Sequence, residues 1–278
     1  YRKVWEYQSN FLQQLIWRAP GIEGNTALFV WQPSLPDIGN SEANFAFYGD
    51  FSLSLAVNSL YEPNPVAAEN RLSYWYYFVS GESATGMDNS PLRMEHATTY
   101  FEGNSSDSLF FYYDPRNDRC LHLVTPEDQY YKQYPGTIKE IASQVAVDRI
   151  LPETRQNINL RDDIFNSGKK TWCYFYQKAE LARQYQQWDE IKPLWNGAVS
   201  NNLQTTIGVE YIPFIDGFAH LSDWQMAAEL TVSANKLSKA MSSILCPLWN
   251  EIEQTTFDSV KRDETIRQVE IELECASP

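Results

Sequence analysis

Apolar residues recur at three-, four- and seven-residue steps through the first 18 positions. Val4, Phe11, Leu12 and Leu15 align on one side, with Arg2, Lys3, Glu6, Gln13 and Gln14 mostly on the other. That is the period of an amphipathic helix. Ala19-Pro20-Gly21 ends it, because a residue before proline avoids the α region and glycine accommodates the change of direction. The pattern is already running at Tyr1, as expected of a piece of a longer chain; a trimmed junction would look the same. "TALFVW" (26–31) is a short apolar run readable as a buried strand. An 18-residue connection rich in Pro, Gly, Asn and Ser leads to "DFSLSLAVNSLY" (50–61), a helix with Asp50 expected as N-cap. "RLSYWYYFVS" (71–80) reads as a second buried strand, so the segment predicts a βαβ unit with parallel strands. Three shorter strands come next at "ATTYFEG", "SLFFYYD" and "RCLHLVT", separated by turn chemistry and expected to form an antiparallel portion.

From "TIKEIASQVAVDRI" onward the period becomes helical, with a loop through "LPETRQNINLRDDIFNSGKK". A repeat then appears at an offset of 36 residues: Trp188 falls on Trp224, Ile191 on Ala227, Trp195 on Thr231 and Ala198 on Ala234. The spacing resembles the tetratricopeptide pattern, which Ala179, Trp188, Ile191, Trp195 and Ala198 fit in the first copy. The second copy departs from it, with Ile215 where a small residue belongs and Thr231 where a bulky apolar one does. An ordinary pair of helical hairpins is the plainer alternative. Trp188 and Trp224 are expected to pack between paired helices, and "KLSKAMSSILCPLWNEIEQ" to cap the stack. In "QVEIELEC", Val269, Ile271, Leu273 and Cys275 alternate with polar residues, which favours a strand; Ile266, Val269 and Leu273 would also line a helix. The reading is therefore an α/β (α+β) chain in three parts. An α/β domain with a mixed sheet spans 1–135, a tetratricopeptide-like helical domain 136–254, and a C-terminal extension 255–278.

Composition narrows the partners. The net charge is −14, with 10 basic and 18 acidic residues in 1–150 and 12 and 18 in the remainder. Acidity this even is no interaction tail, and without a basic cluster it disfavours nucleic acid and anionic lipid surfaces. No apolar run approaches the ~20 residues of a membrane-spanning helix. The four cysteines, Cys120, Cys173, Cys246 and Cys275, show no metal or redox spacing. Buried thiols are the plainer reading, and two disulfides are allowed. His96, His122 and His220 are remote from one another in sequence, so neither a metal nor a cofactor is expected.

There is no GxSxG elbow, GxxxxGK[ST] loop, strand-led GxGxxG or HExxH. The candidate ligand site is the connection ending at Asp50, because ligands of open α/β sheets gather beyond the carboxyl ends of parallel strands. Trp31, Tyr48, Asp50, Ser52 and Asn58 would supply stacking surface and hydrogen-bonding groups for a sugar or peptide. The competing reading has Asp50 capping its helix, with Tyr48 and Trp31 in the core. On the helical repeat, Glu180, Arg183, Gln184 and His220 are the expected partner-docking positions.

"WEYQSNFLQQLIWRAPGIEGNTALF", "FYGDFSLSLAVNSLY", "TWCYFYQKAELARQYQQWDEI" and "IPFIDGFAHLSDWQMAAELT" together resemble the soluble C-terminal region of uncharacterised bacterial multi-pass membrane proteins. The membrane part of that family is similar to lipid-linked-sugar glycosyltransferases. The resemblance implies a membrane span upstream of Tyr1 and an extracytoplasmic, membrane-anchored domain. Three functions arise as expectations. The first is a non-catalytic accessory domain that docks a protein partner or its own membrane region. The second is a carbohydrate- or lipid-linked-sugar-binding module. The third, an unrecognised hydrolase or transferase, would need two carboxylates ~5–10 Å apart in a cleft.

Overall fold

The computed structural model describes residues 2–32, 49–62, 64, 66, 68–79, 89–114, 119–134, 136–153 and 170–275. The chain has mixed α/β character, with helices and mixed sheets, and divides into two compact units. The first comprises residues 1–129 and 135–169, the second 130–134 and 170–278. This differs from the division expected at 135, since the described residues 136–153 belong with the first unit. Among the described residues, no helix is long and apolar enough to cross a membrane.

In the first unit, helix α1 (Arg2–Arg18) buries Phe11, Leu12 and Leu15, the stripe its period predicts. Strand β1 (Gly21–Ile22) comes next and pairs antiparallel with Ile150–Leu151. A side chain at Gly21 would meet the Glu153 carbonyl at 2.7 Å, so only glycine permits that approach. Strand β2 (Thr26–Trp31), helix α2 (Asp50–Tyr61), the two-residue β3 (Arg71–Leu72) and strand β4 (Tyr74–Val79) continue the unit. β2 and β4 are parallel neighbours in register from Thr26↔Tyr74 to Trp31↔Val79.

The later strands depart from expectation. β5 (Pro91–His96), where no strand was expected, forms a hairpin with β6 (Thr99–Asn104), and β6 pairs parallel with β3. β7 (Ser108–Tyr112), expected in an antiparallel portion, is instead parallel to β2, and only β8 (His122–Leu123) runs antiparallel to β7. The main sheet is ordered β4-β2-β7-β8 and the small one β3-β6-β5. Ala27, Trp75, Leu72 and Phe101 form a dry cluster. Short apolar runs do not reveal strand direction, which partner choice decides. The helical reading from 137 also stops early, because α3 (Gly136–Ala142) is short and Ile150–Leu151 is strand β9.

The second unit is helical: α4 (Trp172–Gln184), α5 (Trp188–Ser200), α6 (Ile212–His220), α7 (Trp224–Leu237), α8 (Ser242–Thr255) and α9 (Val260–Leu273). The α4–α5 and α6–α7 turns repeat one another 36 residues apart. Gln186 and Ser222 take φ of 54° and 59°. The Gln187 amide bonds to the Ala182 carbonyl and the Asp223 amide to that of Phe218, each at 2.8 Å. Both are the left-handed helix ending in which a late amide reaches back to a carbonyl of the last turn. Gly217 lets α6 approach α5, since a Cβ there would lie 2.5 Å from Ile191 Cδ1. Thr231, the departure from the repeat, is fully buried and accepts the Trp249 indole N–H at 3.0 Å.

The C-terminal extension is a helix, not a strand. Val269 and Leu273 satisfy both periods, but Ile266, Val269 and Leu273 are buried while Ile271 is 73% exposed. Ser259 caps the helix by accepting from the Arg262 amide, and glutamate's helix propensity favours the same outcome. The described residues hold no free cysteine, so the thiol reading is replaced. Cys246 and Cys275 are bonded, with Cα atoms 5.8 Å apart across 29 residues, tying the end of α9 to α8. In the chain-entropy account a loop of that size contributes ~3–4 kcal/mol.

Candidate functional site

Helix α2 carries Asp50, Ser54 and Asn58 at four-residue steps, and β4 is the edge strand of its sheet. Four helix residues rise ~6 Å and two strand residues ~6.6 Å. Side chains four apart on the helix can therefore address every second amide of the strand. They do so here. The Phe78 amide donates to Asp50 Oδ1 at 2.9 Å and the Tyr76 amide to Ser54 Oγ at 2.9 Å. Asn58 Oδ1 accepts from the Ser73 and Tyr74 amides at 2.9 and 3.2 Å, and Asn58 Nδ2 donates to the Tyr74 and Ser54 carbonyls. The outward amides of β4, which would otherwise offer an open sheet edge, are closed by helix side chains.

This ladder redistributes the expected ligand residues. Asn58 is fully buried and hydrogen-bonded through both amide atoms, so it is a structural tie and not a ligand group. Gly49, not Asp50, is the N-cap of α2, and the Asp50 carboxylate serves the strand instead. Ser52 is exposed on α2. Tyr48 lies outside the described residues.

Trp31 is half-buried at the last position of β2. Phe29 and Trp31 share one face of β2, two residues apart. Phe29 stacks on Tyr77 of β4 at 4.6 Å and 8°, and Trp31 stacks on Tyr112 of β7 at 5.0 Å and 13°. All four rings are half-buried, whereas Leu28 and Val30 on the opposite face are fully buried. The two ring pairs form an aromatic shelf, its Phe29–Tyr77 half packed against the Ala27, Leu72, Trp75 and Phe101 cluster and its Trp31–Tyr112 half at the carboxyl ends of β2 and β7. Burial pushes the Asp50 carboxyl up from its ordinary value, against the opposing hydrogen bond from the Phe78 amide. Burial, reinforced by the Asp50 charge, pushes the Tyr77 phenol up to about 12, so it remains a hydrogen-bond donor. Its buried oxygen has no hydrogen-bond partner among the described residues. At the far side the Arg119 guanidinium lies over the Tyr112 ring, 5.2 Å from its centroid.

In the helical unit the docking candidates divide. Arg183 Nε donates to Asp216 Oδ2 at 2.7 Å, and His220 Nδ1 lies 3.0 Å from Asp216 Oδ1. The three side chains are only 11%, 9% and 13% exposed. His220 also stacks on Trp188 at 3.9 Å and 7°. Arg183 and His220 thus hold α4, α5 and α6 together, while Glu180 and Gln184 are half-buried on α4. Of the paired tryptophans, Trp224 is 3% exposed and Trp188 only half-buried. Trp224→Ala is expected to cost ~3–5 kcal/mol, the usual loss at a buried aromatic site. Trp188→Ala should cost clearly less, because part of its ring already meets water. Urea unfolding of the two variants checks the order, and equal losses would contradict the packing described.

Comparison with protein-family models, curated proteins and solved structures finds no match. The shelf therefore rests on its own geometry. Sequence reasoning missed Phe29, Tyr77, Tyr112 and Arg119. The alternation within "TALFVW" and "YWYYFV" could have placed Phe29 with Trp31 and Tyr77 with Trp75. Tyr112 needed the knowledge that β7 runs parallel beside β2, which no local pattern carries.

Proposed function

We propose that this chain is a non-catalytic, carbohydrate-binding portion of a bacterial membrane protein, with its ligand on the aromatic shelf. The carrying observation is the two stacked ring pairs, Phe29–Tyr77 and Trp31–Tyr112, half-exposed beside Asp50. A pyranose offers C–H faces to aromatic rings and hydroxyls to a carboxylate at their margin. A site at the carboxyl end of parallel strands suits such a ligand. The strand–helix–strand segment β2–α2–β4 is read as a βαβ unit, supported by its parallel register. The helices α4–α7 are read as tetratricopeptide-like, supported by the turn geometry recurring after 36 residues.

The membrane setting comes from the sequence resemblance, and the Cys246–Cys275 bond supports an oxidising, extracytoplasmic side. Docking of a protein partner, or of the protein's own membrane region, is the less favoured reading, because Arg183 and His220 are engaged inside the helical unit. The test is calorimetric titration of the chain with neutral and acidic oligosaccharides. Binding is expected, without turnover, and Trp31→Ala should weaken it at least ~10-fold, about the loss of one good aromatic contact. Absence of binding to every saccharide, or full affinity in the Trp31 variant, would refute the proposal.

A further inference from the structure

We infer that the saccharide carries an anionic group, a carboxylate or a phosphate ester, set against the Arg119 guanidinium. This deepens the carbohydrate reading and rests on it. The chain is strongly acidic, with 36 acidic residues against 22 basic ones, so an arginine whose guanidinium makes no hydrogen bond or ion pair among the described residues stands out. Elsewhere in the same unit, Arg71 reaches Asn25 and the Glu102 carbonyl, and Arg93 pairs with Glu95 and Glu102. Arg149 lies against Glu23 and Asp107 and bonds to Thr26 and the Gly24 carbonyl. Arg119 differs. Among the described residues its one interaction is with the face of Tyr112.

An arginine held over an aromatic ring keeps its in-plane N–H groups available, and their fork matches carboxylate and phosphate oxygens. The ring also fixes the guanidinium before a ligand arrives, which lowers the ordering cost of binding. The guanidinium lies 5.2 Å from the Tyr112 centroid and the Trp31 ring stacks on the same Tyr112 at 5.0 Å, so the charge belongs to the Trp31–Tyr112 end of the shelf. Asp50 stands at the opposite end of the shelf, beside Tyr77 and not Tyr112, so the anion has a preferred end.

The experiment titrates the chain with three tetrasaccharides of matched length: one neutral, one of uronic acids and one bearing phosphate esters. Each is measured at low and moderate salt by calorimetry and by tryptophan emission. At least one acidic ligand should bind ten-fold or more tighter than the neutral one, and its affinity should fall with salt. Arg119→Gln should remove that preference, and Arg119→Lys should restore only part of it. Preference for the uronate assigns a carboxylate, and preference for the phosphate ester assigns a phosphate. Equal binding of neutral and acidic ligands, or an acidic preference that survives Arg119→Gln, overturns the inference while the shelf reading stands. No binding of any of the three overturns both. An unchanged thermal midpoint in Arg119→Gln establishes that the variant is folded.

Discussion

Alanine at position 58 is expected to destabilise the α/β unit by on the order of 4 kcal/mol. The figure reflects the groups that loss of the amide strands. Asn58 serves the Ser73 and Tyr74 amides and the Tyr74 carbonyl, at the point where β4 begins and α2 crosses its edge. Each buried backbone group left without a partner costs ~1–3 kcal/mol, and entry of water would recover part of the total. Ser59→Ala, on the exposed side of the same helix, should stay within ~0.5 kcal/mol, since Ser59 donates to the Leu55 carbonyl one turn back and is exposed. Asn58→Asp separates the two roles. It keeps the acceptor but sets a carboxylate oxygen against the Tyr74 and Ser54 carbonyls, now 2.8 and 2.7 Å from Nδ2. Its destabilisation should shrink at low pH, where the protonated acid can donate to one of them. Chemical unfolding of the three variants measures this, and an Asn58→Ala as stable as Ser59→Ala would mean that the ladder does not hold the strand.

The same residue shows what the sequence could and could not disclose. That 50–61 is a helix between two buried strands was legible, because each element carries its own period. That Asp50, Ser54 and Asn58 lie in one line was also legible, at four-residue spacing. What that line faces was not, since a polar stripe on a helix ordinarily meets water and here meets the edge of a sheet. Arg183 and His220 pose the same difficulty. As polar positions between packing residues they read as displayed, but Asp216 engages His220 one turn on in the same helix and Arg183 from the neighbouring α4. The C-terminal strand was misread for a different reason. Val269 and Leu273, four apart, fit both period two and period 3.6, and only the exposure of Ile271 distinguishes them. Of the proposed shelf, Trp31 is the residue that fold logic suggested, and Tyr77 and Tyr112 come from two other strands. Pairing between distant segments is the part of a fold that local periodicity does not encode.

Removal of the Asp216 carboxylate is expected to be the most damaging single change in the helical unit, at ~3–5 kcal/mol for Asp216→Ala, because it leaves the Arg183 charge buried and uncompensated. The intact cluster need not contribute that much, since its groups were desolvated to form it. Replacing Arg183, Asp216 and His220 together by apolar residues of similar size should therefore cost far less than the single change. The cluster also sets a pH dependence. Burial alone would raise the Asp216 carboxyl, but the Arg183 charge and the hydrogen bonds from His220 and Arg183 outweigh it and hold the group below its ordinary 3.8. Burial likewise opposes the charged His220 ring, but the Asp216 hydrogen bonds and charge outweigh it and raise the ring above 6.5, with Arg183 opposing. The lowered carboxyl contributes stability above pH 3.8 that is lost as pH falls through its folded value. The raised imidazole contributes stability that is complete below pH 6.5 and is lost as pH rises through its folded value. The α4–α6 region should thus be most stable between those limits and loosen on going above pH 6.5, where the imidazolium facing Trp188 loses its charge. Hydrogen exchange of the α4 and α6 amides, corrected for intrinsic rates, should show protection falling from about pH 6 to about pH 8.5. In His220→Gln the slope over that range should disappear while the Arg183–Asp216 pair persists. A wild-type slope of zero, or one of opposite sign, would mean that His220 is not held protonated by Asp216.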